Sequence, residues 1–218
     1  MYKTRNSLAT RNSSRRQLLQ AGIFGAVGIA SAAAVPSVLA TTRTKGDAAN
    51  DIKILNNALY YEHQAIWAYG FAAPKLSQSN VGKAVLAIAL ANQADHKEHR
   101  DTLASVIKQL GGTPVGAQSE YLSTVKPYLE KGEGNLDSDV NIAKLALALE
   151  VDAAIAYTSE VAKLKNPALI TAGASIGSTE ASHATVIRYA FKTLGVDLKV
   201  VPAAFVSNDT RDRWIVRV

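Results

Sequence analysis

The sequence predicts an all-α fold, an antiparallel four-helix bundle with one long crossover between its second and third helices and an extended C-terminal tail. Three observations predict it. Four separate stretches carry apolar or small residues at alternating steps of three and four, the period of a helix with one face in a core. Each of these stripes is broken near its middle by acid, amide or imidazole side chains, at positions that correspond from stripe to stripe. The links between the first and second and between the third and fourth stretches are short, which makes those neighbours antiparallel, whereas Gly111 to Ser138 is a long connection.

Residues 1–40 stand apart from the fold. Ser14-Arg15-Arg16-Gln17-Leu18-Leu19 is a twin-arginine pattern, Ala21 to Leu39 is apolar and free of charge, and Val38-Leu39-Ala40 offers small residues for cleavage. The expectation is a twin-arginine signal peptide and an exported, periplasmic or extracytoplasmic protein. An uncleaved anchor is the alternative, because the run is close to the roughly 20 residues that span a bilayer; its Gly and Ala content and Pro36 favour the signal peptide. Membrane contact is expected only through such a leader. All five charged residues before Ala40 are basic, so 19 of the 24 basic residues remain to face 18 acidic ones. Five of the six net positive charges therefore belong to the leader, and no basic patch with interleaved aromatics points to nucleic acid. Cysteine is absent, which excludes a disulfide framework, a thiolate zinc site and an iron–sulfur cluster.

Residues 41–49 read as a linker and 50–195 as the bundle, a length that suits one domain with a sizeable core. Helix A is expected from about Asn50 to about Ala73, ended by Pro74, with Ile52, Leu55, Leu59, Glu62, Ile66, Tyr69 and Ala73 on its inner face. Helix B starts after Ser79 or Asn80 as N-cap and runs to Leu110, where Gly111-Gly112 stops it. Its inner face carries Asn92, His96 and His99 between Val85, Ala89, Leu103 and Val106. Tyr121, Leu122, Val125, Tyr128 and Leu129 form a short helix within the crossover. Helix C starts near Asp137-Ser138-Asp139 and closes near Lys165, with Val140, Ala143, Leu147, Glu150, Ala154, Tyr157 and Val161 inside. Helix D follows from the cap Asn166 and Pro167 at its first position and ends at Gly195. Its face runs Leu169, Gly173, Ile176, Glu180, His183, Ile187, Ala190 and Leu194. Gly173 and Gly177 each cost about 1 kcal/mol relative to alanine, so they mark close packing. Residues 196–218 form a tail lying over the bundle.

The stretches also match in pairs. Glu62 to Tyr69 reads against Glu150 to Tyr157 with Glu, Ala, Ala and Tyr at the same offsets, and His99 and His183 each stand eleven residues before a Leu-Gly pair. A helical hairpin is used twice. In that alignment His96 takes the place of Glu180. A carboxylate and an imidazole aimed into a core cost several kcal/mol unless something pairs them, and a metal ion or a buried ion pair answers that need.

One Glu from helix A, one from helix C and an inward pair from each of B and D resemble the ferritin-like di-iron and di-manganese carboxylate proteins over roughly residues 50–195. With the twin-arginine leader and His99-Arg100-Asp101-Thr102-Leu103, the chain is similar to small exported bacterial ferritin-like proteins of unassigned function. The resemblance implies metal ligation by Glu62, His99, Glu150, Glu180 and His183, with iron or manganese, two ions or one, and zinc as a further candidate. It implies oxygen or peroxide as partners and chemistry of the ferroxidase or peroxidase kind; a stress or envelope protein that keeps the bundle without a working metal is the alternative. His96 departs from the family pattern, which has a bridging Glu there. Three carboxylates then face the four positive charges of two divalent ions, which leaves a bridging hydroxide or a single ion to settle the balance. A π-bulge would bring Glu98 inward. His96 is either a sixth ligand or a hydrogen-bonded neighbour, Asn92 reads as a hydrogen-bonding neighbour, and Tyr69 and Tyr157, two turns or about 10 Å beyond their glutamates, as core tyrosines with hydroxyl partners. His63, Trp67 and Trp214 read as surface or packing residues, and the chain as a monomer or homodimer.

Overall fold

The computed structural model describes residues 44–218; the twin-arginine leader expected at 1–40 and the first three linker residues lie outside them. Six α-helices and no strand occur among the described residues: α1 Lys45–Ala72, α2 Asn80–Gln109, α3 Leu122–Glu130, α4 Asp139–Val161, α5 Pro167–Thr193 and α6 Arg211–Trp214. Helices α1, α2, α4 and α5 are the expected A, B, C and D, and α3 is the crossover helix. No helix among the described residues is long and apolar enough to cross a membrane.

Three boundaries differ from the expectation. The first helix starts at Lys45 rather than Asn50, so residues 45–49 are not linker. Thr44 caps it by accepting the Asp47 N–H at 3.1 Å, and this first turn is polar and small, with no apolar stripe to announce it. Helix C closes at Val161, four residues before Lys165. The tail is not extended throughout: Asn208–Thr210 is a 3₁₀ turn leading into α6, and Trp214 and Ile215 are buried in the core.

The other caps form as read. Ser79 accepts from Gly82 N, Ser138 from Asn141 N, and Asn166 from Ala168 N ahead of Pro167. The Asp139 carboxylate then reaches across to the α1–α2 turn, accepting from Ser77 N at 2.7 Å and Ser77 Oγ at 2.6 Å. At the other end, Asp51 of α1 accepts from Lys165 N at 2.8 Å. These bonds pin the two hairpins to each other at both ends of the bundle.

Gly173 and Gly177 do mark close packing. A Cβ on Gly173 would stand 2.7 Å from Val161 Cγ1, and one on Gly177 would stand 3.0 Å from the Tyr157 Cβ. Apolar side chains pack in two groups. Val85, Ile142, Leu147, Val151, Ile187, Phe191 and Trp214 belong to one. Leu55, Leu59, Leu103, Ile107, Leu169 and Ile176 belong to the other. In sequence along α1, α2 and α5, the polar residues of each stripe fall between these groups, so the core is interrupted by one polar layer.

The tail is held by two arginines. Arg188 of α5, buried, donates to the carbonyl oxygen of Lys199 at 3.0 and 2.8 Å and to that of Trp214. Arg211 of α6 donates to both Glu133 oxygens at 2.8 and 2.7 Å and to Asp152 of α4 at 2.5 and 2.9 Å. Trp214 is thus a core residue of the bundle end, and its indole N–H donates to Phe205 O at 2.9 Å.

Candidate metal centre

The four long helices bring Glu62, His96, His99, Glu150, Glu180 and His183 together in the polar layer, all buried except the half-buried His99. They form two overlapping quartets. One is Glu62, His96, His99 and Glu180; the other is His96, Glu150, Glu180 and His183; within each, one potential ligand atom per residue lies within 4.8 Å of the others. Glu180 and His96 belong to both.

Glu180 divides its oxygens between the halves. Oε1 lies 3.1 Å from His99 Nδ1 and Oε2 lies 3.3 Å from His183 Nδ1, yet neither oxygen has a donor aligned for a hydrogen bond, and His99 Nδ1 is equally without one. A buried carboxylate without an aligned donor forfeits the stabilisation that ordinarily offsets its burial. Ligand atoms within 4.8 Å of one another, with Glu180 and His99 Nδ1 not committed to hydrogen bonds, are what a cation needs. The donor set, hard carboxylate oxygen with imidazole nitrogen, suits iron, manganese or zinc.

His96 likewise faces both halves, with Nδ1 2.8 Å from Glu62 Oε2 and Nε2 3.3 Å from Glu150 Oε1. Two carboxylates on the two nitrogens require both to carry a proton, so here the ring acts as an imidazolium between Glu62 and Glu150. His183 turns Nδ1 inward, 3.2 Å from Glu150 Oε2, while Nε2 meets Asp95 Oδ2 at 3.0 Å. A carboxylate behind a histidine fixes which nitrogen faces the centre.

Tyr69 and Tyr157 are closer to the chemistry than core tyrosines with unspecified partners. The Tyr157 hydroxyl of α4 donates to Glu62 Oε1 of α1 at 2.5 Å, and the Tyr69 hydroxyl of α1 donates to the Glu150 carboxylate of α4. The two hairpins exchange this contact. Asn92 adds its amide to Tyr69 Oη at 3.0 Å and Glu150 Oε1 at 3.3 Å, the neighbour role read for it. Helix α2 is α-helical throughout and Glu98 is exposed, so the inward π-bulge does not form. His63 bonds Val115 O at 3.2 Å and Trp67 stacks on Phe71 at 4.9 Å, both away from the layer. Replacing Tyr157 with phenylalanine is expected to cost 10–100-fold in metal affinity, the usual penalty for losing a group that orients a ligand, read by competition with a chromophoric chelator.

The charges of the layer are mutually set. Burial pushes the Glu62 carboxyl up, but the hydrogen bond from His96 and the nearby charges of His96 and His99 outweigh it and hold the value at about 2. Burial likewise opposes the charged form of Glu150, and the His96 charge and the His183 hydrogen bond take it well below the ordinary range. Glu180 moves the other way, raised by burial. Burial disfavours the imidazolium of His99 and His183, yet Glu180 with Glu62 raises the first to about 9 and Glu150 with Glu180 the second to about 10.

The sign of the resulting pH dependence follows. Glu62, lowered from 4.5, contributes stability above about pH 4.5 that is lost as pH falls towards 2. His99 and His183, raised from 6.5, contribute stability below about pH 6.5 that is lost as pH rises through 9 and 10. Chelator-treated protein is therefore expected to melt highest between about pH 4.5 and 6.5 and lower on either side, measured by scanning calorimetry.

A family model described as ferritin-like domain matches residues 50–193. Among solved structures, the chain is similar to the crystal structure of a conserved hypothetical protein, rv2844, from Mycobacterium tuberculosis, with 22% identity and a TM-score of 0.51 over 73% of this chain and 99% of that one. That likeness concerns the fold alone. No curated protein matches. The four-helix frame, the paired hairpins and the matched span together place this chain in the ferritin-like domain family.

Proposed function

We propose that the protein is an exported metal-binding protein whose layer of three glutamates and three histidines holds iron or manganese for chemistry with iron, oxygen or peroxide. The observation that carries this reading is Glu180, fully buried, with one oxygen given to each quartet and no donor aligned to either. Glu62 and His99 would hold an ion in one half, Glu150 and His183 in the other, with Glu180 serving both and His96 as the sixth ligand. The bound metal supplies the electron transfer and Lewis acidity that no side chain here provides. The chain's own contribution is to orient Glu62 and Glu150 through Tyr157 and Tyr69, and to hold on the imidazoles protons that must leave before a cation binds. Export rests on Arg15-Arg16 and the apolar run after them.

Metal analysis after expression in iron- or manganese-supplemented medium tests the reading. One to two equivalents are expected; fewer than about 0.2 equivalents of iron, manganese and zinc together would remove it, since a site of this depth fills when folded. One observation favours a second reading, a stress or envelope protein without a working metal. Glu62 and Glu150 are held ionised beside imidazolium rings, so the layer can stand as an ion-pair network.

A further inference from the structure

The bundle is not filled where α1 faces α4. A cavity of about 720 Å³ lies between α1 and α4 beneath α3, within the roughly 300–1,000 Å³ of sites that enclose small organic molecules. Small residues create it: Ala65 and Ala68 on α1, Ala146 and Ala153 on α4, where a bundle ordinarily interdigitates larger side chains. Its lining on α1 runs from Asn57 to Ala73, about 24 Å at 1.5 Å per residue, so the space extends along the bundle. Leu76, Val81, Val85, Ile88 and Phe191 line one stretch of it; Glu62, His96 and Glu150 also reach it, and Lys131, Arg211, Asp152 and Glu160 line it elsewhere.

The layer is also one carboxylate short. His96 stands where the internal repeat has Glu180, leaving three carboxylates against the four positive charges of two divalent ions. A long, mostly apolar space that reaches a cation site in need of one more anion suits an amphiphile with an anionic head.

We propose that the cavity binds an unbranched fatty acid, its alkyl chain along Val81, Val85 and Phe191 and its carboxylate at the metal beside Glu62, His96 and Glu150. The placement of the carboxylate rests on the metal reading above; the placement of the chain rests on the cavity alone.

Calorimetric titration of the full exported chain, loaded with manganese, tests both parts, with palmitate and its neutral counterpart hexadecanol as probes. Palmitate is expected to bind one to one and at least tenfold more weakly after chelation, because its charge then faces Glu62 and Glu150 without a cation. Hexadecanol is expected to bind loaded and chelated protein alike. The cavity-filling variants Ala153→Phe and Ala68→Phe, checked for unchanged melting temperature and manganese content, are each expected to weaken both probes at least tenfold; two positions on opposite walls guard against one failing to fold. No binding of either probe to the loaded protein, or undiminished binding to both filled variants, overturns the proposal. Palmitate binding that ignores chelation overturns the carboxylate placement. If the protein takes up no metal, the metal reading fails by itself; hexadecanol binding that is lost in the filled variants then keeps the chain site, and its absence removes that too.

Discussion

Replacing Glu180 with glutamine lowers bound metal to below about 0.2 equivalents and weakens affinity by at least a hundredfold, because each half loses its shared anion at once; metal binding and folding are linked in such sites. The same variant leaves the metal-free protein nearly as stable as before. Neither Glu180 oxygen has an aligned donor, and burial already raises its pKa towards the neutral form, so an amide of the same shape gives up little in the absence of a cation. Elemental analysis and the melting temperature of chelated protein, measured together, separate the two readings of the layer. If glutamine lowers the melting temperature of chelated protein by more than about 10 °C while metal content is unmoved, the carboxylate belongs to a structural ion-pair network and not to a metal site.

Arg211→Ala is expected to cost about 3–5 kcal/mol, the penalty for stranding a buried charge by removing its partner. Glu133 is 1% exposed, and the Arg211 guanidinium meets both of its oxygens. In a chain of this size the loss amounts to a fall of roughly 6–20 °C in melting temperature. The double variant Arg211→Met with Glu133→Leu should recover most of it, since hydrophobic replacements of a buried pair are often neutral. Metal content per folded molecule should be unchanged in both variants, which calorimetry with metal analysis checks. Failure of the double variant to recover would mean that the Asp152 contact, not Glu133, dominates.

The stepping rule of threes and fours placed Glu62, Glu150, Glu180 and His183 on inner faces, and the structure brings them together with His96 and His99 at one depth. What a stripe cannot convey is which group on another helix a side chain touches. Tyr69 and Tyr157 were visible at matching offsets, but their reach to the opposite hairpin's glutamate depends on how α1 and α4 face each other across the bundle, which a stripe on one helix does not carry. The Asp95 contact with His183 joins positions 88 residues apart, and Asp95 sits off the apolar stripe, so no periodicity marks it. The first turn of α1 was missed because Thr44 and Asp47 make a cap whose signal lies in hydrogen bonding and not in hydrophobic pattern. Arg211, in a segment with no helical period, gave no hint that it would tie α4 to the crossover. The cavity was illegible because alanine on a helix reads the same whether something packs on it or nothing does.

The exchange of tyrosines between hairpins has a consequence for how the molecule is built. Each hairpin holds the phenol that steadies the other's acid, and the residues joined are 81 and 95 apart, whereas the α1–α2 and α4–α5 pairings close within short links. Local hairpins assemble early because their loop entropy is small; the shared layer exists only once the long connection has brought both together. Under the proposed reading, cation uptake would thus be a late event that registers completed molecules, and an ion seated there would fasten two halves that local pairing alone leaves separate.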